Sequence, residues 1–322
     1  MTNDVMVIGE HFRGTLNQIT LELLGKAREL AGQLGGKVEV VLLGHQVEPL
    51  AAQLGAADRL SVADHPLLEH FVPETYEAVI AERVKQAGPR LVLLGSTSVG
   101  LDLIGPLSVR VALPCFDNCT AIQVREGRMV AISQLYGGKI FAEYAVPETT
   151  ALVAVVPGSF PAEPGKAAGA PEVLRLAAPP APRTTFRKLI EPPPGDLDVS
   201  KVPLLVAVGR GIQNADNIPL AEELAETLGG AVCASRPVID QGWLPLTRQV
   251  GKSGVTVKPK LYLALGISGA PEHVEGMKQS ELIIAVNTDA KAPIFGLAHY
   301  GAVADAVEII PLLTEQIRAA SG

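Results

Sequence analysis

The chain has 322 residues, a net charge of −7 at pH 7, and 48% hydrophobic against 19% charged residues. This composition excludes a wholly disordered chain and argues against a general polyanion binder, because a net negative charge opposes nucleic acid. Three cysteines are too few for a disulfide scaffold, no signal-peptide pattern opens the chain, and no uninterrupted apolar run reaches about 18 residues. We therefore expect a cytoplasmic, two-domain α/β protein without membrane insertion.

The first hundred residues alternate apolar runs with helical patterns. Four runs are predicted as buried strands: residues 5–8, 38–43, 60–62 and 91–94. Three segments are predicted as helices: residues 16–34, 50–54 and 76–86. Strands that alternate with helices form βαβ units, so this part of the chain is predicted to build a parallel sheet.

The pattern changes from Thr120 onward. Four more strands are predicted, the first three joined by Glu-Gly and Gly-Gly turns: residues 120–126, 129–135, 140–144 and 151–156. Such short turns indicate an antiparallel addition to the parallel layer. Ten of the 25 prolines then fall between residues 157 and 194. Because proline lacks an amide donor, we expect an extended connection there, with one strand at 173–176.

A second α/β pattern follows this connection. Its predicted strands are residues 204–208, 231–233, 260–265, 282–286 and 308–310. Its predicted helices are residues 218–228 and 312–319. We therefore predict an N-terminal α/β domain over residues 1–188, which includes the proline-rich connection, and a second domain over residues 189–322.

Polar or glycine-containing turns end several strands of the second domain. They are Gly209-Arg210-Gly211, Ser235-Arg236, Gly266-Ile-Ser-Gly-Ala270 and Asn287-Thr-Asp289. Ligands bind outside the carboxyl ends of parallel strands, so these turns and the loop Val250-Gly-Lys-Ser-Gly254 are expected to lie together. Glycines allow close backbone approach, and Arg210, Arg236 and Lys252 add positive charge. The edge suits a phosphorylated cofactor with a planar ring.

The common nucleotide and metal motifs are absent from the sequence. No Gly-x-Gly-x-x-Gly follows a strand, and Leu246 stands where a P-loop needs its first glycine. Cys115 and Cys119 lack the second ligand pair of a metal site. The segment 95–100, Gly-Ser-Thr-Ser-Val-Gly, could hold phosphate at a helix start. An adenine-nucleotide hydrolase or ligase, and a subunit that has lost its cofactor, therefore stay open as alternatives.

Residues 260–301 carry a long, ordered resemblance. They read KLYLALGISGAPEHVEGMKQSELIIAVNTDAKAPIFGLAHYG and are preceded by VGRG at 208–211, ASRP at 234–237 and VGKSG at 250–254, and followed by VAD at 303–305. This set is similar to the signature region of the alpha subunit of electron transfer flavoproteins. The resemblance is strong over residues 203–318. It is looser over residues 1–160, where Gly9-Glu-His11 and Tyr136-Gly-Gly138 are the best points.

The resemblance implies a fold, a cofactor and partners. The second domain would be a doubly wound FAD-binding domain, and the first would have a nucleotide-hydrolase-like fold without known catalysis. The chain would pair with a beta subunit as a redox carrier rather than a substrate-converting enzyme. It would pass electrons from flavin dehydrogenases, such as the acyl-CoA dehydrogenases of fatty acid β-oxidation, to a membrane quinone reductase. In some members the pair instead bifurcates electrons with a second FAD in the beta subunit, and the sequence leaves this choice open.

Carried over residue by residue, the resemblance assigns the flavin end of the site. Arg210 and Ser235 would contact the FAD. Arg236 would lie beside the ring near N5, where its fixed charge favours reduced, anionic flavin. Ser253 would offer its hydroxyl to N5, and His273 would stabilise negative charge on the pyrimidine-side carbonyl. The chemical roles are thus assigned to Arg236, Ser253 and His273.

The same transfer assigns the rest of the cofactor site. Ser268, Gly269 and Ala270 would line the pyrophosphate or the ribityl chain, and Asn287 and Asp305 would reach the adenosine end. The other motif positions are assigned to the cofactor as well: Val250, Gly251, Lys252, Pro271 and Glu272.

Four positions depart from the pattern of the family. Lys252 and Glu272 each stand where relatives commonly have Gln, and a Lys252–Glu272 ion pair is one hypothesis for that coincidence. Pro271 replaces an apolar residue, and His299 stands where relatives often have Asp. These departures leave the flavin potential and the choice of partner open, while FAD binding is still expected.

Overall fold

The structure is a computed structural model and describes residues 2–136, 138–189 and 197–321. The chain divides into two compact units, residues 1–188 and 189–322. Gly137 of the Tyr136-Gly-Gly138 motif and the prolines at 192–194 lie outside the described residues. Both units are α/β, and the predicted fold class is confirmed. No helix among the described residues is long and apolar enough to cross a membrane.

The first unit builds one large sheet and a small ribbon. Its strands, within residues 2–136 and 138–189, are β1 (Val5–Gly9), β2 (His11–Phe12), β3 (Thr15–Leu16), β4 (Val38–Gly44), β5 (Arg59–Asp64), β6 (Leu91–Gly95), β7 (Cys115–Arg125), β8 (Arg128–Leu135), β9 (Ile140–Ala145), β10 (Ala151–Val155) and β11 (Glu172–Arg175). Its helices are α1 (Gln18–Leu34), α2 (Pro73–Ala87) and α3 (Ser98–Val111). In these described residues the large sheet has nine strands in the order β11-β5-β4-β1-β6-β10-β7-β8-β9, while β2 pairs with β3.

Parallel pairing forms the centre of this sheet, and antiparallel pairing forms one side. β1 lies between β4 and β6, with Val5 opposite both Val38 and Leu91. The strands β7, β8 and β9 are antiparallel neighbours. Glu126 and Gly127, which join β7 to β8, have φ of +52° and +76°, as the tight primed turns of hairpins require. The predicted antiparallel addition is confirmed.

The described part of the proline-rich connection, residues 157–189, holds one strand, as predicted. In the first unit, α3 is the main helix that the sequence patterns did not reveal. β11 pairs in parallel with β5, with Val173 opposite Leu60. In α3, Pro106 lies inside the helix and obscures the helical pattern. The Thr97 hydroxyl nevertheless caps the helix start by accepting a hydrogen bond from the Gly100 amide at 3.1 Å.

The second unit is an all-parallel sheet with a core on each face. Its strands, within residues 197–321, are β12 (Leu204–Val208), β13 (Ala231–Ala234), β14 (Leu261–Leu265), β15 (Leu282–Asn287) and β16 (Tyr300–Val303), in the order β13-β12-β14-β15-β16. Its helices are α4 (Ile218–Leu228), α5 (Arg236–Asp240), α6 (Pro271–Glu275) and α7 (Ala306–Ser321). One core packs beneath α4 and α7, and includes Leu224 and Ile310. The other includes Tyr262, Met277 and Ile294.

Short 3₁₀ turns connect many of these elements. Among the described residues they are Glu48–Gln53, Pro66–Leu68, Glu163–Lys166, Val199–Lys201, Arg210–Ile212, Ala215–Asn217, Leu246–Arg248 and Pro293–Gly296. The first of them takes the place of the helix predicted at residues 50–54.

The strand predicted at residues 308–310 is wrong, because these residues belong to α7. Pro311 suggests a helix start, yet it lies inside this helix. The helix continues through it because Ile310 and Thr314 are buried, and the Thr314 hydroxyl donates to the Ile310 carbonyl at 2.9 Å. The last strand is instead β16, whose four residues are all exposed and show no alternation that would reveal it.

Candidate functional site

A cavity of about 1000 Å³ lies at the carboxyl ends of the five strands that residues 197–321 form. Arg210 follows β12, Ser235 follows β13, Ser268 follows β14, Thr288 follows β15 and Asp305 follows β16. In a parallel sheet these ends share one edge, so residues far apart in sequence converge there. The loop 249–253 and parts of α5, α6 and α7 also contribute to the lining.

The structure brings together thirteen of the fifteen residues predicted for the cofactor site. The thirteen that line the cavity are Arg210, Ser235, Arg236, Val250, Gly251, Lys252, Ser253, Ser268, Ala270, Glu272, His273, Asn287 and Asp305. Gly269 and Pro271 are not among the lining residues. Gly269 packs against Ile294, where an added Cβ would lie 2.4 Å from the Ile294 nitrogen, and Pro271 begins α6.

Four polar residues of the site lie outside the motifs that the sequence analysis singled out. Gln213, Asp240 and Gln249 line the cavity, and Tyr262 lies fully buried in contact with the lining residue His273. Gln249 directly precedes the VGKSG loop, so proximity to a motif was the one signal available in the sequence. An isolated amide or phenol in a strand or turn carries no motif of its own.

Two glycine-rich turns meet backbone to backbone in the wall of the cavity. The Gly211 amide donates to the Gly266 carbonyl at 3.1 Å, and a Cβ added to Gly211 would lie 2.6 Å from the Gly266 Cα. Gly266 has φ of +64°, which other residues adopt only at a cost. The turns after β12 and β14 therefore reach this spacing only with glycine at both positions.

The VGKSG loop is anchored to α6 through its main chain. The Lys252 amide donates to the Glu272 carbonyl at 2.7 Å, and Gly251 adopts φ of +144° beside it. The side chains of Lys252 and Glu272 are both exposed. Within the described part of the chain no ion pair joins them. The predicted partnership is thus a backbone contact and not a salt bridge.

Three exposed cations face the cavity: Arg210, Arg236 and Lys252. The Arg236 Nε lies 3.3 Å from Asp240 Oδ2, but both side chains are more than 60% exposed, so this pair is weak. Arg210 and Lys252 have no ion-pair partner among the described residues. The lining also holds three carboxylates: Asp240, Glu272 and Asp305. The cavity is therefore not positive overall, and what it offers an anionic ligand is the two unpaired cations.

His273 lies beneath the cavity in a fixed protonation state. Its Nδ1 is 3.0 Å from the Val250 carbonyl, which can only accept, so Nδ1 carries the proton. Its Nε2 then accepts from the Tyr262 hydroxyl at 2.9 Å. Burial lowers the pKa of His273 to about 4, so the ring is neutral at physiological pH. In this arrangement it has no free N–H, and the predicted donation to a flavin carbonyl would require it to release one of these bonds.

The chain of buried groups continues from Tyr262 to Cys233. The Cys233 thiol donates to the Tyr262 oxygen at 3.9 Å. Burial raises the pKa of Cys233 to about 12 and raises the pKa of Tyr262 well above its usual value. All three side chains are therefore uncharged, and each hydrogen bond in the series has one possible direction.

Asn287 and Asp305 shape the turns in which they lie. The Asn287 amide donates to the Ile267 carbonyl at 2.9 Å. Asp305 accepts from the Val307 amide at 2.8 Å and from Gln213 Nε2 at 3.0 Å. These bonds fix both side chains at the rim of the cavity, and their contacts with adenosine stay predictions.

The alternative phosphate site in the first unit is filled by the protein itself. The buried Glu10 carboxylate accepts from the Thr97 hydroxyl at the start of α3, with oxygens 2.8 and 2.9 Å away. A Cβ added to Gly95 would lie 2.8 Å from Glu10 Oε1. Burial raises the pKa of Glu10. An internal carboxyl group thus occupies the helix start that a phosphate would need.

Comparisons with known proteins agree on both units. The family described as "Electron transfer flavoprotein domain" matches residues 5–181, and the family described as "Electron transfer flavoprotein FAD-binding domain" matches residues 198–278. The electron transfer flavoprotein subunit alpha of Clostridium acetobutylicum is 35% identical, covering 98% of this chain and 97% of that protein.

Two further relatives have names that point to other complexes. The lactate dehydrogenase (NAD(+),ferredoxin) subunit LctC of Acetobacterium woodii is 36% identical over 97% of this chain and 76% of its own length. The acryloyl-CoA reductase electron transfer subunit beta of Anaerotignum propionicum is 34% identical over 98% of this chain and 95% of its own length.

Proposed function

The chain belongs to the family of electron transfer flavoprotein alpha subunits and carries FAD, and on that premise we propose that it relays electrons between flavin dehydrogenases and a quinone reductase. The prediction of FAD is confirmed by the family of the second unit. Family membership also implies a beta subunit as heterodimer partner. The donor of the acyl-CoA dehydrogenase type and the membrane quinone acceptor are part of the proposal.

The observation that carries the proposal is the open cavity at the strand ends. It has room for a large ligand, and its lining combines cations, hydroxyls and glycine backbone. A pyrophosphate requires such cations and close backbone, so the residues present fit FAD. This openness also counts against a subunit that has lost its cofactor.

The lining residues are proposed to have different roles in binding the cofactor. Arg210 and Lys252, which have no ion-pair partner among the described residues, are proposed to stabilise negative charge on the bound molecule. Arg236 at the start of α5 is proposed to lie beside the flavin ring, where its fixed charge favours the reduced state. When bound, FAD supplies the ring that takes up and releases electrons. Ser253 and Ser268 offer hydroxyls, and the neutral His273 packs beneath.

A nucleotide hydrolase in the first unit is disfavoured by the Glu10 carboxylate at the start of α3. An incoming phosphate would have to displace a buried carboxyl group from its hydrogen bonds. We therefore assign no ATP chemistry to this unit.

A bifurcating complex is the second candidate, and the names of the relatives favour considering it. One relative is named for both NAD(+) and ferredoxin, which are two different electron carriers. If this chain worked in the same manner, a second flavin would lie in its partner. The cavity described here serves one FAD in either case.

Purification of the chain together with its beta subunit tests the proposal. We expect one FAD for each heterodimer, rapid reduction by an acyl-CoA dehydrogenase with its substrate, reoxidation by a quinone reductase, and no ATP hydrolysis. Two flavins for each heterodimer, with NADH oxidation that requires both an enoyl-type acceptor and ferredoxin, would replace simple carriage by bifurcation. A colourless, FAD-free heterodimer would refute both.

A further inference from the structure

Gln249 directly precedes the VGKSG loop, and its side chain is buried. It is 3% exposed. Its backbone N–H donates to the Leu246 carbonyl at 3.0 Å, and its backbone carbonyl accepts from the Val255 N–H at 2.7 Å. It also forms a parallel bridge with Ala234 at the end of β13. Its backbone is therefore held at both ends, and its side chain projects from a rigid base.

The side chain of Gln249 makes one hydrogen bond with defined direction. Its Nε2 donates to the Ser253 Oγ at 2.9 Å. An amide nitrogen has no lone pair to offer, so the serine oxygen is the acceptor. A serine hydroxyl has a single proton, and no second partner of Ser253 occurs among the described residues. The hydroxyl proton is thus free to point into the cavity that both residues line.

We propose that Gln249 is a positioning residue that sets the direction of the Ser253 hydroxyl, so that it donates to the flavin ring. This inference rests on the proposed function and on the assignment, made from the family resemblance, of the Ser253 hydroxyl to the flavin N5. Gln249 occupies one lone pair of the serine oxygen and leaves the proton for the cofactor. Without this amide, the hydroxyl would rotate among several directions, and the donated bond would weaken.

The Gln249→Glu variant tests the direction directly. A carboxylate can only accept, so it would turn the Ser253 proton away from the cavity. The added negative charge also affects the flavin by itself. This charge effect is present in both Gln249→Glu and the double variant Gln249→Glu/Ser253→Ala, so the comparison between these two isolates the hydroxyl.

The measurement is the ratio of oxidised to reduced flavin in the FAD-loaded heterodimer, at equilibrium with a redox dye, together with its visible spectrum. In the wild-type background we expect Ser253→Ala to shift this ratio roughly fivefold toward oxidised flavin, the size of one net hydrogen bond. A donor stabilises the ring more strongly once it has gained negative charge. In the Gln249→Glu background, Ser253→Ala should change the ratio by less than about twofold. Ser253→Thr, which keeps a hydroxyl, should remain close to wild type.

Equal shifts from Ser253→Ala in both backgrounds would overturn the positioning role of Gln249 and leave the proposed function intact. No shift from Ser253→Ala in the wild-type background would overturn this inference together with the proposed place of the ring. The FAD content of each variant reports whether it has folded. If Gln249→Glu does not load FAD, Gln249→Met replaces it; there the effect of Ser253→Ala should be clearly smaller than in wild type, and an equal effect would again overturn the role.

Discussion

The imidazole of His273 and the phenol of Tyr262 are joined by a hydrogen bond of 2.9 Å beneath the cofactor cavity. The Val250 carbonyl on the other ring nitrogen requires Nδ1 to be protonated, so Tyr262 must be the donor. The imidazole thus accepts a hydrogen bond at Nε2 and donates one at Nδ1. A second proton on Nε2 would reverse this bond and leave the buried Tyr262 O–H without its acceptor, so the structure opposes the imidazolium form.

This arrangement predicts a loss of stability in mild acid. The pKa of His273 is about 4 in the folded chain against 6.5 ordinarily. Between these pH values His273 is protonated in the unfolded chain but not in the folded chain, so the free energy of unfolding falls as the pH falls from about 6.5 to about 4. The full pKa shift corresponds to a loss of about 3 kcal/mol in the free energy of unfolding. Urea unfolding followed by Trp243, the single tryptophan of the chain, reports on the second unit alone.

The His273→Gln variant is the control for other titrating groups. Glutamine keeps a donor and an acceptor but does not titrate. From pH 7 to pH 4, the free energy of unfolding of wild type should therefore fall by about 3 kcal/mol more than that of this variant. A difference that stays constant across this range would show that His273 is not held neutral.

Removal of the Tyr262 hydroxyl tests the other end of the bond. Tyr262→Phe leaves His273 Nε2 and the Cys233 thiol without their buried partner, which costs about 1–3 kcal/mol. The neutral ring also loses its stabilising donor, so the pKa of His273 rises and the acid-linked loss becomes smaller. The same series of urea unfolding curves measures both effects.

Tyr76→Phe provides a matched variant in the first unit. The Tyr76 hydroxyl is likewise buried and lies 3.2 Å from the carbonyls of Leu43 and Leu68, to which it can donate. Its loss should destabilise the first unit while the Trp243 signal and the flavin spectrum stay unchanged. If Tyr76→Phe lowered the stability reported by Trp243 as much as Tyr262→Phe does, the specific link between Tyr262 and the second unit would be lost.

The strand ends of the second unit were predictable because each has its own local signature. Buried runs that stop at glycine or polar turns place Arg210, Ser235 and Ser268 on one edge, and the rule for parallel sheets then brings them together. The structure places all three in the cavity lining. The point at which a buried strand ends in a turn depends on a few neighbouring residues, so it can be predicted from the sequence.

The supports beneath the cavity were not predictable for a physical reason. Gln249 and Tyr262 act through partners that are 4 and 11 residues away, and only the folded loop brings these atoms within reach. β16 was missed because its residues are exposed. The helix predicted at residues 312–319 lies within α7, but the start of α7 was misplaced because Pro311 interrupts its pattern. Burial by distant segments overrides local preference at such positions.

Removal of the positive charge of Lys252 should shift the redox balance of the bound flavin. It is an exposed cation in the cavity lining, without an ion-pair partner among the described residues. Lys252→Gln removes a charge that favours electron uptake, so the ratio of oxidised to reduced flavin at a fixed dye potential should rise up to about tenfold at low salt. The shift should shrink at high ionic strength, since exposed charges are screened.

Lys258→Gln serves as the control for Lys252. Lys258 is also exposed and follows the same loop, but it does not line the cavity. It should leave the flavin ratio unchanged at all salt concentrations. An equal effect of the two variants would mean that overall charge, and not the place of Lys252, sets the redox balance.

Gly266→Ala and Gly229→Ala separate backbone strain from crowding. Both glycines have positive φ, +64° and +70°, so alanine at either position costs about 1–2 kcal/mol. A Cβ on Gly229 would meet open space, whereas one on Gly266 would lie 2.6 Å from the Gly211 Cα. Gly266→Ala must therefore push apart the turns after β12 and β14, adding about 1–3 kcal/mol. We expect Gly229→Ala to retain FAD and Gly266→Ala to lose most of it, as measured by urea unfolding and flavin content. If the two variants lose equal stability and both keep FAD, the close approach of these turns is not needed to form the site.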